Sequence, residues 1–291
     1  MITRKNILVT GANGQLAMEF RSLSEHYTAY HFLFVTKEQL PVNDKSAVED
    51  FFSGNKISYC INCAAYTAVD KAETEKDIAF DINGHAVGSL ASICNKYDTQ
   101  FIHFSTDYVF NGKSTVPYKE TDITDPVNMY GASKLLGEQD AQKNDPSAII
   151  IRTSWVYSSF GKNFVKTMLR LMSEKESISV VNDQLGCPTY ANDLAAAVME
   201  IIIKNDKPIP GIYNYCNKGA ISWYEFALAI KEISGSACKV GPINTEQYPT
   251  PAKRPAYSVL DTMKISQTFH LNIPFWKDSL EKCIALLKQQ S

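Results

Sequence analysis

The sequence has no marked excess of charge of either sign and no long apolar run. Its 291 residues set 29 basic against 31 acidic side chains, a formal net charge of −2. Composition therefore gives no sign of the broad electropositive face that nucleic acid demands, although a local basic pocket for a phosphorylated ligand stays open. No stretch approaches the ~18–20 apolar residues of a membrane span. The first apolar run, Ile7-Leu-Val, is too short for the apolar segment of a secretory signal. The seven cysteines are odd in number and scattered, so they do not read as a disulfide framework. Only Cys60 and Cys63 lie close together. That lone pair sits inside an apolar run and reads as part of a buried strand rather than a redox or zinc site. The set fits a reduced, cytoplasmic protein. Internal repeats, linkers and low-complexity tracts are also missing.

What is present is 45% apolar composition, enough for a sizeable core. The first half alternates short apolar runs with longer mixed segments. Strands are expected at 6–10, 31–35, 59–62, 101–104 and 148–151, and helices at 16–23, 46–52, 86–97 and 132–142. Strands without polar alternation, separated by helices, imply a parallel sheet covered on both faces. The fold class is α/β, a doubly wound parallel sheet of Rossmann type with a smaller C-terminal substrate lobe. Residues 1–152 are expected to form a dinucleotide-binding domain, with a returning segment near 190–217, and residues 153–291 mainly a substrate-binding lobe. In that second half, helices are expected at 163–173 and 193–204, a short strand beginning at Val180, a strand at 211–215, and a final helix with Leu280, Cys283, Ile284 and Leu287 on one face.

Thr10-Gly-Ala-Asn-Gly-Gln-Leu-Ala17 follows the first strand and opens the first helix. Gly11 takes the tight turn. Gly14 lets the backbone approach a pyrophosphate held at the helix N-terminus. Ala17 stands at the third position, where strand and helix pack. The second strand ends in Val35-Thr36-Lys37, with Glu38 following. Lys37 could meet the 2′-phosphate of NADPH, and a solvated lysine that leaves NADH in play is the alternative.

Tyr130 and Lys134 are four residues apart at the start of an expected helix and so share a face. A phenol with a pKa near ~10 is a poor acid or base at neutral pH, and a fixed ammonium beside it favours the phenolate. Tyr130 would give a proton to a carbonyl oxygen as hydride reaches the carbon, while Lys134 would also hold the nicotinamide ribose. The pair follows Phe104-Ser-Thr-Asp-Tyr-Val-Phe110, which leaves the fourth strand. Thr106 could donate to the same oxygen, with Ser105 as rival. Asp107 could cap a turn or bind a substrate hydroxyl.

In this order, the glycine turn, Thr106, Tyr130 and Lys134 resemble the extended short-chain dehydrogenases. Ser105-Thr-Asp-Tyr-Val-Phe110, Arg152-Thr-Ser-Trp-Val-Tyr157, Asn163-Phe-Val-Lys-Thr-Met-Leu-Arg170, Asp183-Gln-Leu-Gly-Cys-Pro-Thr189 and Arg254-Pro255 are similar to the dTDP-4-dehydrorhamnose reductase branch of that family. The resemblance spans residues 6–285. It implies NADPH- or NADH-dependent reduction of the C4 ketone of dTDP-4-dehydro-L-rhamnose to dTDP-L-rhamnose, for surface polysaccharide synthesis. It further implies that Gly14, Gln15 and Leu16 line the pyrophosphate, with Gly11 in the turn. Ala65, Tyr66 and Thr67 would flank adenosine and ribose. Thr106, Tyr130 and Lys134 would be catalytic, Asp107 and Trp155 would contact the sugar, and Arg254 would grip the diphosphate. Trp155 as a core aromatic and Arg254 in a surface ion pair are the alternatives. A homodimer and Mg²⁺ are implied by the family alone, and no residue here is assigned to metal. Two departures stand out: Ala17 replaces a glycine, and Pro41 stands where relatives carry an acid at the adenosine end. The same scaffold also carries other nucleotide-sugar reductases, epimerases and a non-catalytic regulatory subunit of methionine adenosyltransferase, so fold alone does not decide function.

Overall fold

A computed structural model describes residues 4–205 and 208–290. In chain order, β1 (Lys5–Thr10), α1 (Gln15–Ser24), β2 (Tyr30–Val35), α2 (Lys45–Gly54) and β3 (Ile57–Asn62) open the fold. A short α3 (Lys76–Phe80) runs through a π-turn at Asp81–His85 into α4 (Ala86–Lys96), followed by β4 (Gln100–Thr106), α5 (Met129–Asn144) and β5 (Ile149–Thr153). The strands are apolar runs that need cover on both faces, and the helices supply it. Ile7, Val9, Ile61, Ile102 and Ile149 pack toward α1, and Leu8, Cys60, Phe101 and Ile150 toward α2 and α4. The burial of Cys60 inside β3 bears out its reading as a strand residue, and all seven cysteines are free.

The second half adds β6 (Val156–Tyr157), α6 (Phe164–Glu174), β7 (Ser177–Val181), β8 (Leu185–Gly186), β9 (Thr189–Tyr190) and α7 (Ala191–Lys204). There follow β10 (Gly211–Asn214), β11 (Ile221–Ser222), α8 (Trp223–Ser234), β12 (Lys239–Ile243), α9 (Met263–Phe269) and α10 (Trp276–Gln289). The main sheet is six-stranded, in the order β10-β5-β4-β3-β1-β2, with every pairing parallel. The chain winds from β1 to β2 on one side, then returns to place β3 on the other. The switch point therefore lies above the carboxyl ends of β1 and β3, where such sheets bind ligands. α7 returns to cover the sheet. A separate core of Tyr157, Val165, Phe226, Ile230, Leu280 and Ile284 joins α6, α8 and α10.

Three expectations need correction. Val180 and Val181 end β7 rather than begin a strand, because β7 pairs with β12 along its whole length. Two helices, α8 and α9, were not expected. The first carries a capping box in which Ser222 and Glu225 satisfy each other's backbone N–H groups. Among the described residues, no helix is long and apolar enough to cross a membrane.

Candidate active site

A cleft of about 850 Å³ opens at the switch point. Its floor is the turn between β1 and α1. Gly11 has φ +64°, and a Cβ there would lie 2.8 Å from the backbone of Ala64, so both conformation and contact require glycine. Gly14, Gln15 and Leu16 line the cleft beside it, at the N-terminus of α1. Ala65 and Thr67 form the wall beyond β3, and Thr36, Lys37 and Pro41 lie at the far end. Tyr66 departs from expectation. Asn83 holds its backbone N–H and carbonyl at 2.8 and 2.9 Å, and its phenol donates to Glu75 at 2.6 Å, so its ring does not line the cleft. Ser105 lines the cleft with a buried hydroxyl that has no hydrogen-bond partner among the described residues.

Tyr130 and Lys134 both face this cleft from the first turns of α5. The helix starts here because Asn128 caps it, accepting from the Gly131 N–H at 2.8 Å and donating to the Lys253 carbonyl at 2.8 Å. Gly131 is needed for contact: a Cβ would come within 2.1 Å of the Tyr108 carbonyl oxygen. The Tyr108 ring meets Tyr130 edge to face, at 6.0 Å and 82°.

Burial and the nearby Asp107 carboxylate push Tyr130 up to about 12, and a hydrogen bond with Thr106 pulls the other way. The phenol is thus held protonated, the form that donates to a carbonyl oxygen. Lys134 is 2% exposed and donates to the Phe104 carbonyl at 2.6 Å. Burial drives it down to about 8, with Glu138 opposing. The expected pull of the lysine on the phenol is not what sets Tyr130 here; desolvation of each group dominates. Thr106 donates to Asp107 Oδ1 at 3.0 Å and accepts from the Tyr108 N–H. Asp107 is buried, its other oxygen has no partner among the described residues, and burial raises it to about 6.

Thr106, Asp107, Trp155 and Arg254 lie outside the cleft lining. Trp155 adopts φ +48°, a strained conformation for a bulky residue, and stacks on Trp223 with centroids 3.5 Å apart. Arg254 forks onto Asp70, at 3.1 and 2.9 Å. Sequence reasoning missed Asp70, and also Asn62 and His103 behind Lys134. The last two carry no signal beyond being polar residues in otherwise apolar strands.

A doubly wound sheet with a glycine turn at its switch point, and a Tyr–Lys pair across the cleft, defines the class of short-chain dehydrogenase-type folds. The chain belongs to the family described as RmlD substrate binding domain, which it matches over residues 5–289. It is 42% identical to the spore coat polysaccharide biosynthesis protein SpsK of Bacillus subtilis, over 95% of each chain. It is 39% identical to a dTDP-4-dehydrorhamnose reductase of Aggregatibacter actinomycetemcomitans, over 94% of this chain and 97% of that one. The crystal structure of dTDP-4-dehydrorhamnose reductase from Bacillus anthracis in complex with NADP superposes with a TM-score of 0.94. It is 36% identical and covers 98% of this chain and 100% of that one.

Proposed function

We propose that the protein reduces the C4 ketone of dTDP-4-dehydro-L-rhamnose to dTDP-L-rhamnose with NADPH or NADH, in the cytoplasm, supplying surface polysaccharide synthesis. The observation that carries this is the meeting of Tyr130, Lys134 and the Thr106–Asp107 pair where β4 and α5 face the glycine turn. The residues suit a dinucleotide: Gly11 and Gly14 line the cleft where α1 begins, a place for a pyrophosphate, and the orphaned Ser105 hydroxyl lies within the cleft. The nicotinamide, when bound, supplies hydride.

The chain's own residues do the rest. Residues 1–152 with the returning β10 segment hold the cofactor, and residues 153–291 close over the sugar. Gly11, Gly14, Gln15 and Leu16 seat the pyrophosphate, and Ala65, Thr67 and the backbone of Tyr66 flank the adenosine half. Lys37, at the far end of the cleft, favours the 2′-phosphate of NADPH. Tyr130 gives its proton to the ketone oxygen, Thr106 turns its one hydroxyl proton from Asp107 to donate to that oxygen, and Lys134 holds the ribose and steadies the phenolate. Asp107 and the strained Trp155 contact the sugar, and Arg254, with Asp70 fixing its fork, meets the diphosphate. The resemblance also carries a homodimer, which light scattering would test. The resemblance carries Mg²⁺ as well; among the described residues no three His, Cys, Asp or Glu gather as ligands, and no step here passes through a metal.

The test is oxidation of NADPH with freshly generated dTDP-4-dehydro-L-rhamnose, with NADH in parallel and the product read by NMR. Oxidation with dTDP-L-rhamnose formed is the expected result. Cofactor binding without oxidation would overturn it and leave a binding subunit; sugar conversion without net oxidation would leave an epimerase.

A further inference from the structure

Along the base of the cleft, whose lining includes Asn62 and Lys134, a chain of buried polar groups crosses three strands. The Thr10 hydroxyl donates to Asn62 Oδ1 at 2.6 Å. The Asn62 amide nitrogen lies 3.1 Å from His103 Nδ1, and His103 Nε2 lies 3.2 Å from Lys134 Nζ. We infer that His103 is a positioning residue for Lys134, and that Asn62 and Thr10 fix which ring nitrogen of His103 carries the proton facing the lysine.

The argument is one of donors and acceptors. Asn62 Oδ1 already receives the Thr10 hydroxyl and, at 3.2 Å, the Ala64 backbone N–H. The end of the amide left for the ring is its NH₂, so Nδ1 of His103 accepts. Burial holds His103 well below the usual imidazole range, so the ring is neutral and its one proton sits on Nε2. That N–H points at Nζ. The arrangement is complete when Lys134 is an amine that accepts from Nε2–H and donates to the Phe104 carbonyl. An ammonium would set N–H against N–H.

Negative charge brought near Nζ, on the Tyr130 oxygen or a cofactor phosphate, favours the ammonium. The ring must then accept, which needs its proton on Nδ1 and the Asn62 amide turned end for end. With burial drawing Lys134 down to about 8, its amine and ammonium forms lie close in energy, and the ring tautomer weights the balance toward the amine. The titratable and charged groups that face it are His103 from β4, and Tyr130 and Glu138 from its own helix, with Arg152 of β5 neutralising Glu138.

The chain is closed to water at Thr10 and His103 and meets the cleft at Asn62 and Lys134. It runs instead from the residue before Gly11 to the lysine, a direct tie between the cofactor turn and the chemical group. The His103 ring cannot swing freely, because it lies stacked on Phe101 at 6.0 Å and 13°.

The chemical meaning of this device rests on the proposed roles of Tyr130 and Lys134; the tautomer does not, so it is read without substrate. In the full chain labelled with ¹⁵N-histidine and ¹³Cε-lysine, His103 should show a protonated Nε2 and a bare Nδ1 at about pH 9, on the alkaline side of the Lys134 midpoint. Lys134, identified by its loss in Lys134→Arg, should titrate about one pH unit or more below the exposed lysines. His103→Gln, whose side-chain carbonyl accepts from an ammonium, should raise that midpoint about tenfold in proton affinity, and the alkaline limb of kcat should move with it. Thr10→Val, a milder change should His103→Gln fail to fold, should move the midpoint the same way by freeing the Asn62 amide. A ring protonated on Nδ1 or on both nitrogens, or a Lys134 midpoint that neither variant moves, overturns the inference. An intact tautomer in a protein that does not oxidise NADPH would retire the proposed reaction and leave the hydrogen-bond chain standing.

Discussion

Arg152 and Glu138 form an ion pair, 2.7 Å between Nη2 and Oε2, in which both side chains are almost wholly buried. A second contact from Nε to Oε1 at 2.9 Å makes it two-pronged. The pair binds α5, the helix of Tyr130 and Lys134, to β5, the strand after which the chain leaves the main sheet for β6 and α6. Removing one member leaves the other as a buried, uncompensated charge, so Glu138→Leu should cost about 3–5 kcal/mol of stability. Urea denaturation of both proteins checks this; a loss under 1 kcal/mol would show that Arg152 finds another partner.

Tyr130→Phe should keep the fold and bind NADPH with near-normal affinity, while kcat falls by roughly 10²–10⁴-fold. Fluorescence titration and steady-state rates separate the two effects. Turnover within a few-fold of the parent would remove Tyr130 from the role of acid.

Lys37→Ala tests cofactor choice. The side chain is freely exposed at the end of the cleft, 3.8 Å from Glu38, so its loss should leave folding untouched. KM for NADPH should rise roughly 5- to 10-fold, a modest factor because solvent screens an exposed charge, and KM for NADH should stay put. Equal changes for both cofactors would count against a 2′-phosphate contact.

Asp107 supplies a pH signature. Its folded value, about 6, exceeds the ordinary 3.8, so between these limits the folded state binds more protons than the unfolded state. The stability it contributes is complete below pH ~4 and is lost as pH rises through about 6, a span of about 3 kcal/mol at most. Asp107→Asn removes the titration. The variant should gain on the parent across that window and stay ahead at pH 7. Parallel curves from pH 4 to 7 would mean that Asp107 is solvated rather than buried.

The parallel sheet was legible because its strands are unbroken apolar runs between helices, and Tyr130 with Lys134 was legible because a spacing of four is itself a statement about a helix face. The remainder depends on contacts that sequence distance conceals. Asp70 reaches Arg254 across 184 positions. Asn62 and His103 read as ordinary strand residues until β1, β3 and β4 are set side by side. Gly131 looks like a weak point in a helix, yet the approach of the Tyr108 carbonyl demands it. The Ser222–Glu225 box was a local signal and could have revealed α8; the aromatic residues Trp223, Tyr224 and Phe226 crowded around Glu225 obscured the helical period.

β10 lies against β5, pairing Gly211 with Ile149 through Asn214 with Arg152. During synthesis, β5 therefore waits for some sixty further residues, among them α6 and α7, before its open edge is covered. A chain cut at residue 152 would expose the unpaired edge of three consecutive isoleucines, a template for sticking to other copies. The stretches 1–152 and 153–291 are thus poor candidates for separate expression: the main sheet is complete only once nearly half of the second stretch has left the ribosome, and a nascent chain stalled before β10 is the form most in need of a chaperone.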